Sequence, residues 1–234
     1  MPKHGTYRHL LKNMTKLIIF DLDGTLLDTL GDIASACNHA LEMCGCPTHE
    51  TEAYRQLVGR GISNLFKGAL PEENRTEEMV EKMRTYFVPY YKEHICDLTK
   101  PYPGVERMLE ELTDAGISMA IASNKFQAGT EIIVEKLLGK FNFVKILGQR
   151  EGHPIKPDPK IIGEIMEAVP GITSKDTAYC GDSDVDMMTG INAGVKTLGA
   201  CWGFRGREEL AAYSPALLAE YPEEITAEVL IDRK

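Results

Sequence analysis

Two aspartates spaced by one residue, Asp21 and Asp23, follow the short run Lys16-Leu17-Ile18-Ile19-Phe20. An apolar, partly β-branched run of that length reads as a buried strand, and Gly24 marks the turn that ends it. Two carboxylates held so close repel each other unless a proton or a cation relieves them. A hard divalent cation with oxygen ligands is the natural relief, and the carboxyl edge of an open α/β sheet is where ligands bind. Asp and Gly also make plain turns, so the pair alone is divided between a turn and a site. The longer string Asp21-Leu22-Asp23-Gly24-Thr25-Leu26-Leu27-Asp28-Thr29 is far more specific.

Three further clusters carry chemistry. Ser123-Asn124-Lys125 ends a second predicted strand. A hydroxyl with nearby backbone N–H groups suits phosphate oxygens, although by itself this is also an ordinary polar turn. Lys156-Pro157-Asp158-Pro159 follows a third strand. Its two prolines stiffen the loop and hold the Lys156 ammonium where negative charge grows in a transition state; the alternative is a solvated loop lysine. Gly181-Asp182-Ser183-Asp184-Val185-Asp186 ends a fourth strand as a second acidic cluster. Asp182 and Asp186 meet if Ser183 starts a helix, while Ser183 or Asp184 also reads as a helix cap.

The elements that must position these groups are legible as patterns. Further strands are predicted at 117–122, 143–147, 177–180 and 195–201, and helices at 105–115, 130–138 and 161–169. Strand alternating with helix implies a parallel sheet covered on both faces. The fold class is therefore α/β, a Rossmann-like parallel sheet core interrupted by a helical insertion. The core is expected at 15–28 and 100–234, the helical cap at 29–99, and an N-terminal extension at 1–14. Hinges are expected near Asp28-Thr29 and at Pro101–Gly104, whose prolines and glycine punctuate the return to the core. A last strand is expected either at 216–220 or at 229–232.

Composition excludes several classes. The chain of 234 residues has 43% hydrophobic residues and a formal net charge of −9. That balance argues against nucleic acid and anionic membrane surfaces as partners. No window approaches the roughly 18 apolar residues of a membrane helix, and residues 1–13 have no apolar segment of a secretory signal. Six cysteines without regular spacing read as reduced thiols of a cytoplasmic protein. Cys37, His39, Cys44, Cys46 and His49 cluster in sequence, but without the spacing of a zinc site.

Taken together, D-x-D-G-T, Ser-Asn, K-P-x-P and G-D-S-x-x-D resemble the haloacid dehalogenase superfamily over residues 15 to about 225. Gln56-Leu57-Val58-Gly59-Arg60-Gly61 and Cys201-Trp202-Gly203-Phe204-Arg205 are similar to the phosphoglycolate phosphatase branch, whereas Ser214-Pro215-Ala216 departs from it. The resemblance implies Asp21 as the nucleophile that forms an aspartyl-phosphate and Asp23 as the acid, then base. It implies Mg²⁺ held by Asp21, the Asp23 carbonyl and Asp182, with Asp186 behind them. Lys156, Ser123, the Asn124 amide and Thr25 are expected around the phosphoryl group of a small phosphorylated metabolite, with 2-phosphoglycolate the expected substrate. Arg60, between two glycines, either meets that substrate's carboxylate or faces solvent. Asp23 points away from carbon–halogen hydrolysis, since halide leaves without a proton. A β-phosphoglucomutase-like mutase and a pyrophosphatase of the same branch keep the same motifs and stay open, as does oligomeric state. A regulatory protein on this scaffold would usually lack one of the catalytic groups, and all are present.

Overall fold

The computed structural model describes residues 14–231. Strand β1 (Leu17–Phe20) lies inside the sheet, and none of its four side chains has solvent exposure. Because side chains alternate across a strand, Leu17 and Ile19 enter one apolar cluster and Ile18 and Phe20 the other. A parallel strand covered by helices on both faces requires such an uninterrupted apolar run. Each side chain so buried contributes roughly 1.5–3 kcal/mol, which fixes the strand and therefore the place where Asp21 emerges.

After a tight turn, β2 (Leu27–Asp28) leads out of the core and β3 (Lys100–Pro101) leads back, paired antiparallel. Between them lie α1 (Leu30–Met43), α2 (Ile62–Ala69) and α3 (Glu77–His94), with short 3₁₀ turns at Thr51–Gln56 and Glu72–Asn74. The insertion has its own apolar interior, including Tyr54, Phe66, Phe87 and Tyr91. Its two ends are tied by buried Asp32, whose carboxylate accepts from Leu98 N, Thr99 N and Thr99 Oγ1.

The chain then alternates: α4 (Val105–Asp114), β4 (Ser118–Phe126), α5 (Gln127–Leu138), β5 (Phe143–Gln149), α6 (Lys160–Glu167), β6 (Thr177–Gly181), α7 (Asp184–Ala193), β7 (Lys196–Ala200), α8 (Arg207–Ala211), β8 (Leu217–Ala219) and α9 (Pro222–Leu230). The six-stranded sheet has the order β5-β4-β1-β6-β7-β8, parallel throughout. Successive strands depart to opposite sides of β1, so a crevice opens at its carboxyl end.

Two expectations need adjusting. Strand β4 does not stop at Ala122 but runs to Phe126, with an irregular register against β5 between Ala122 and Phe126. Ser123, Asn124 and Lys125 thus sit in a deformed stretch of strand, a device that re-aims side chains next to a site. The last strand is Leu217–Ala219, while Val229 and Leu230 belong to α9. The expectation for residues 1–13 lies outside the described residues. Among the described residues no helix is long and apolar enough to cross a membrane.

Candidate active site

Asp21 follows β1 directly, and its amide extends the ladder by donating to Cys180 O at 2.8 Å. Gly24 turns the chain at φ 88°. A Cβ there would stand 2.3 Å from Asp182 Oδ2, so only glycine lets this turn approach the β6–α7 loop. Thr25 Oγ1 donates to Asp182 Oδ1 at 3.0 Å and Phe204 N donates to Asp182 Oδ2 at 2.7 Å. Thr25 therefore braces Asp182. Ser183 caps α7 and shares a reciprocal capping box with Asp186, as the capping reading of this cluster expects.

Lys156 is buried, and its ammonium donates to Ala122 O (3.0 Å), Tyr179 Oη (2.8 Å) and Asp186 Oδ1 (2.7 Å). An ammonium has three protons, so these contacts use all of them. Asp21 Oδ1 lies 2.8 Å from the same nitrogen as an ion pair, yet it has no hydrogen-bond donor. Asp186 accepts from Lys156 and Tyr179 on Oδ1 and from Ser183 N and Oγ on Oδ2. Burial pushes the Asp186 carboxyl up, but the Lys156 charge and these donors outweigh it and hold it below the usual range. Asp21 fares differently. Burial, then the Asp186 charge, raise it from 3.8 to about 7 against the opposing pull of Lys156. Burial and the charges of Asp186 and Asp21 also push Asp182 well above the ordinary range.

One oxygen from each of Asp21, Asp182 and Asp186 lies within 4.8 Å of the others. Asp21 and Asp186 share one ammonium, and Asp182 joins them in the same buried space. The donor set is all oxygen, and Asp21 Oδ1 is an orphan. Both features fit a hard divalent cation. Asp186 already has four donors, so Asp21 and Asp182 are the carboxylates with capacity to spare.

Asp23 has its own cation. Lys125 Nζ donates to Asp23 Oδ1 at 2.8 Å and Oδ2 at 3.1 Å, with both groups buried. Burial opposes the lysine's charge, but Asp23 and then Tyr91 more than offset it, and its ionisation is pushed up. Ser123 is buried and accepts from Lys125 N. The Asn124 side chain ties Lys156 N and Lys156 O to the core and reaches Gly59 O of the insertion at 2.9 Å. Arg60 sits apart from these groups. Its half-exposed guanidinium pairs with Asp184 at 2.5 Å across the rim and does not line the cavity.

That cavity, about 50 Å³, lies between the sheet edge and the insertion and opens to solvent. Asp21, Asp23, Ser123, Asn124 and Lys125 line it from the core, and residues such as Val58, Leu65, Phe87 and Tyr91 from the insertion. Sequence reasoning assigned no role to Lys125, Tyr91 or Arg205. Arg205 is buried and donates to the carbonyls of Arg55, Gln56 and Val58, so a core loop grips the insertion. The only signal for it was its place in Cys201-Trp202-Gly203-Phe204-Arg205; Lys125 stood beside Ser123-Asn124.

A parallel sheet with paired aspartates at its edge and a helical insertion above them defines a hydrolase fold and site. Residues 18–200 match the haloacid dehalogenase-like hydrolase family, and the chain belongs to it. The chain is similar to the phosphoglycolate phosphatase of Vibrio parahaemolyticus, 32% identical over 92% of this chain and 96% of the relative. It is also similar to the phosphoglycolate phosphatase of Aquifex aeolicus, at 33% identity over 81% and 86%. Among solved structures, a predicted phosphoglycolate phosphatase from Haemophilus somnus superposes with a TM-score of 0.83 at 27% identity, covering 90% of this chain and 96% of that one.

Proposed function

We propose that this hydrolase is a Mg²⁺-dependent phosphatase that cleaves a small phosphate monoester through an aspartyl-phosphate, and that 2-phosphoglycolate is its substrate. The observation that carries the chemistry is Asp21: a buried carboxylate with one oxygen lacking any donor, beside the Lys156 ammonium. In this reading an Asp21 oxygen attacks phosphorus and the ester P–O bond breaks. Asp23, once protonated from solvent, gives that proton to the leaving oxygen; water then attacks the aspartyl-phosphate, Asp23 takes a proton from it, and the Asp21–phosphate bond breaks to release phosphate. Lys156 lies against the charge that builds on the phosphoryl oxygens. Ser123, with the Asn124 amide, flanks the same space, and Thr25 and Asp186 hold Asp182 and Lys156 in place. Mg²⁺ between Asp21, Asp182 and the Asp23 carbonyl would neutralise phosphoryl charge and keep Asp21 ionised.

The substrate rests on the names of the relatives, which also favour hydrolysis over the mutase and pyrophosphatase alternatives. Residues 29–99 act as a cap that opens to admit substrate and closes to exclude water, flexing at the β2–β3 pair. A cytoplasmic location rests on the thiol reading of the cysteines. The experiment is phosphate release from a panel of monoesters with Mg²⁺, run beside Asp21→Asn. Release from 2-phosphoglycolate that disappears in the variant is expected. No release from any monoester, or undiminished release by Asp21→Asn, refutes the assignment.

A further inference from the structure

Two polar groups in the cavity have no part in the phosphoryl chemistry just described. Lys125 is the one cation among the described residues that line it. Tyr91, from α3 of the cap, lines it too, and its buried hydroxyl, beside Lys125, donates to no acceptor. The Lys125 ammonium lies 4.8 Å from the centre of the Tyr91 ring, so the two groups stand side by side on the cavity wall. The walls around them, including Ile33, Val58, Leu65 and Phe87, are apolar. In such surroundings an ion pair is much stronger than in water, and a phenol that donates to nothing is a donor waiting for an acceptor.

Lys125 is not idle in this state: it grips both oxygens of Asp23. A carboxylate capped on both oxygens by an ammonium is not free to turn to a leaving oxygen. Something must draw the ammonium away at the moment of reaction. An acceptor of the same chemistry, a second carboxylate, is the group that does so.

We propose that Lys125 and Tyr91 form the recognition site for the carboxylate of the substrate's leaving group, and that Lys125 exchanges Asp23 for that carboxylate when the substrate binds. The inference rests on the 2-phosphoglycolate reading above and assigns the residues that read its distal end. The substrate then releases the Asp23 carboxylate, which takes a proton from solvent and passes it to the leaving oxygen. A neutral analogue of the same size fills the cavity but leaves Asp23 held, so discrimination falls on kcat as well as on KM.

The test compares 2-phosphoglycolate with its neutral amide, 2-phosphoglycolamide, in the full chain with Mg²⁺. The wild type should favour the acid in kcat/KM on the order of 100-fold or more, as sites built around a polar partner do. Lys125→Gln should shrink that ratio to within about fivefold by removing the charge that distinguishes the two. Tyr91→Phe, which removes one atom and decides the matter if Lys125→Gln does not fold, should shrink it about tenfold. A folded variant of either kind that keeps the wild-type ratio overturns the proposal while leaving the substrate reading intact. A wild type that cleaves other monoesters but does not prefer the acid shows instead that the substrate reading has failed, and the proposal falls with it.

Discussion

Replacing the nucleophile should make the metal-free protein more stable. The Asp21 carboxyl ionises near 7 in the folded chain against 3.8 ordinarily. A shift of about three units corresponds to about 4 kcal/mol at 1.36 kcal/mol per unit, an upper bound on the destabilisation caused by the charge. The sign follows from proton binding. Between 3.8 and about 7 the folded state holds the proton more tightly than the unfolded chain, so stability falls as pH rises through that window and levels off above it. Asp21→Asn keeps the shape and removes the charge. Lys156 stays paired with Asp186 at 2.7 Å, so no buried charge is orphaned. At pH 8 in EDTA the variant should gain about 2–4 kcal/mol, a Tm rise of roughly 5–15 °C for a chain of this size. At pH 5 the gain should shrink to about 1–2 kcal/mol, because wild-type Asp21 is then largely protonated when folded. Adding Mg²⁺ should stabilise the wild type and close much of the gap. Thermal unfolding at both pH values, with and without Mg²⁺, is the measurement. A variant less stable than wild type at pH 8, or a gain that ignores pH, refutes the account of Asp21 and Asp186 sharing one ammonium.

Asp23→Asn should slow alkyl phosphates about 10²- to 10⁴-fold in the phosphorylation step and p-nitrophenyl phosphate much less, since that leaving group needs little acid help; equal losses in burst kinetics would remove Asp23 from the acid role. Ca²⁺ should inhibit, because its looser geometry lets both Asp21 oxygens bind it and spoils the line of attack; steady-state rates at fixed Mg²⁺ and rising Ca²⁺ decide this. Arg205→Ala should loosen the insertion, seen as faster hydrogen exchange at residues 51–61 with the sheet unchanged; unaltered exchange there would show that the three carbonyl contacts do not hold it. Arg60→Ala should change kcat/KM for 2-phosphoglycolate and for an aryl phosphate equally and by less than about threefold, as befits an exposed pair; a selective loss for 2-phosphoglycolate would put Arg60 in the site.

The sheet was legible because its strands are short apolar runs between turn residues, and β1 has no polar side chain inside it. The insertion was legible as a break in strand–helix alternation. Tertiary pairing was not. The deformed end of β4 arises from its register against β5, which no local pattern records, so Ser123-Asn124-Lys125 looked like a plain strand end. Among the predicted site residues, Asp21, Lys156, Asp182 and Asp186 converge because each follows a strand at one edge. Arg60 was read from its flanking glycines, but its partner Asp184 is 124 residues away, and only the packing of the insertion on the core brings them together. Arg205 and Tyr91 depend on the same packing and left no comparable mark.

The two aspartates of the first turn divide the site between them. Asp21 must share Lys156 with Asp186 and keeps an oxygen without a donor. Asp23 has Lys125 to itself, bound through both oxygens. The uncompensated negative charge therefore collects on the Asp21 and Asp182 side, where a divalent cation and then a phosphoryl group find it. The Asp23 side pairs its one carboxylate with one ammonium and is walled by apolar residues of the insertion. Environments that separate neighbouring carboxylates in this way are how one fold assigns different roles to like groups. Exchanging the two environments, not the two residues, is what would exchange nucleophile and acid.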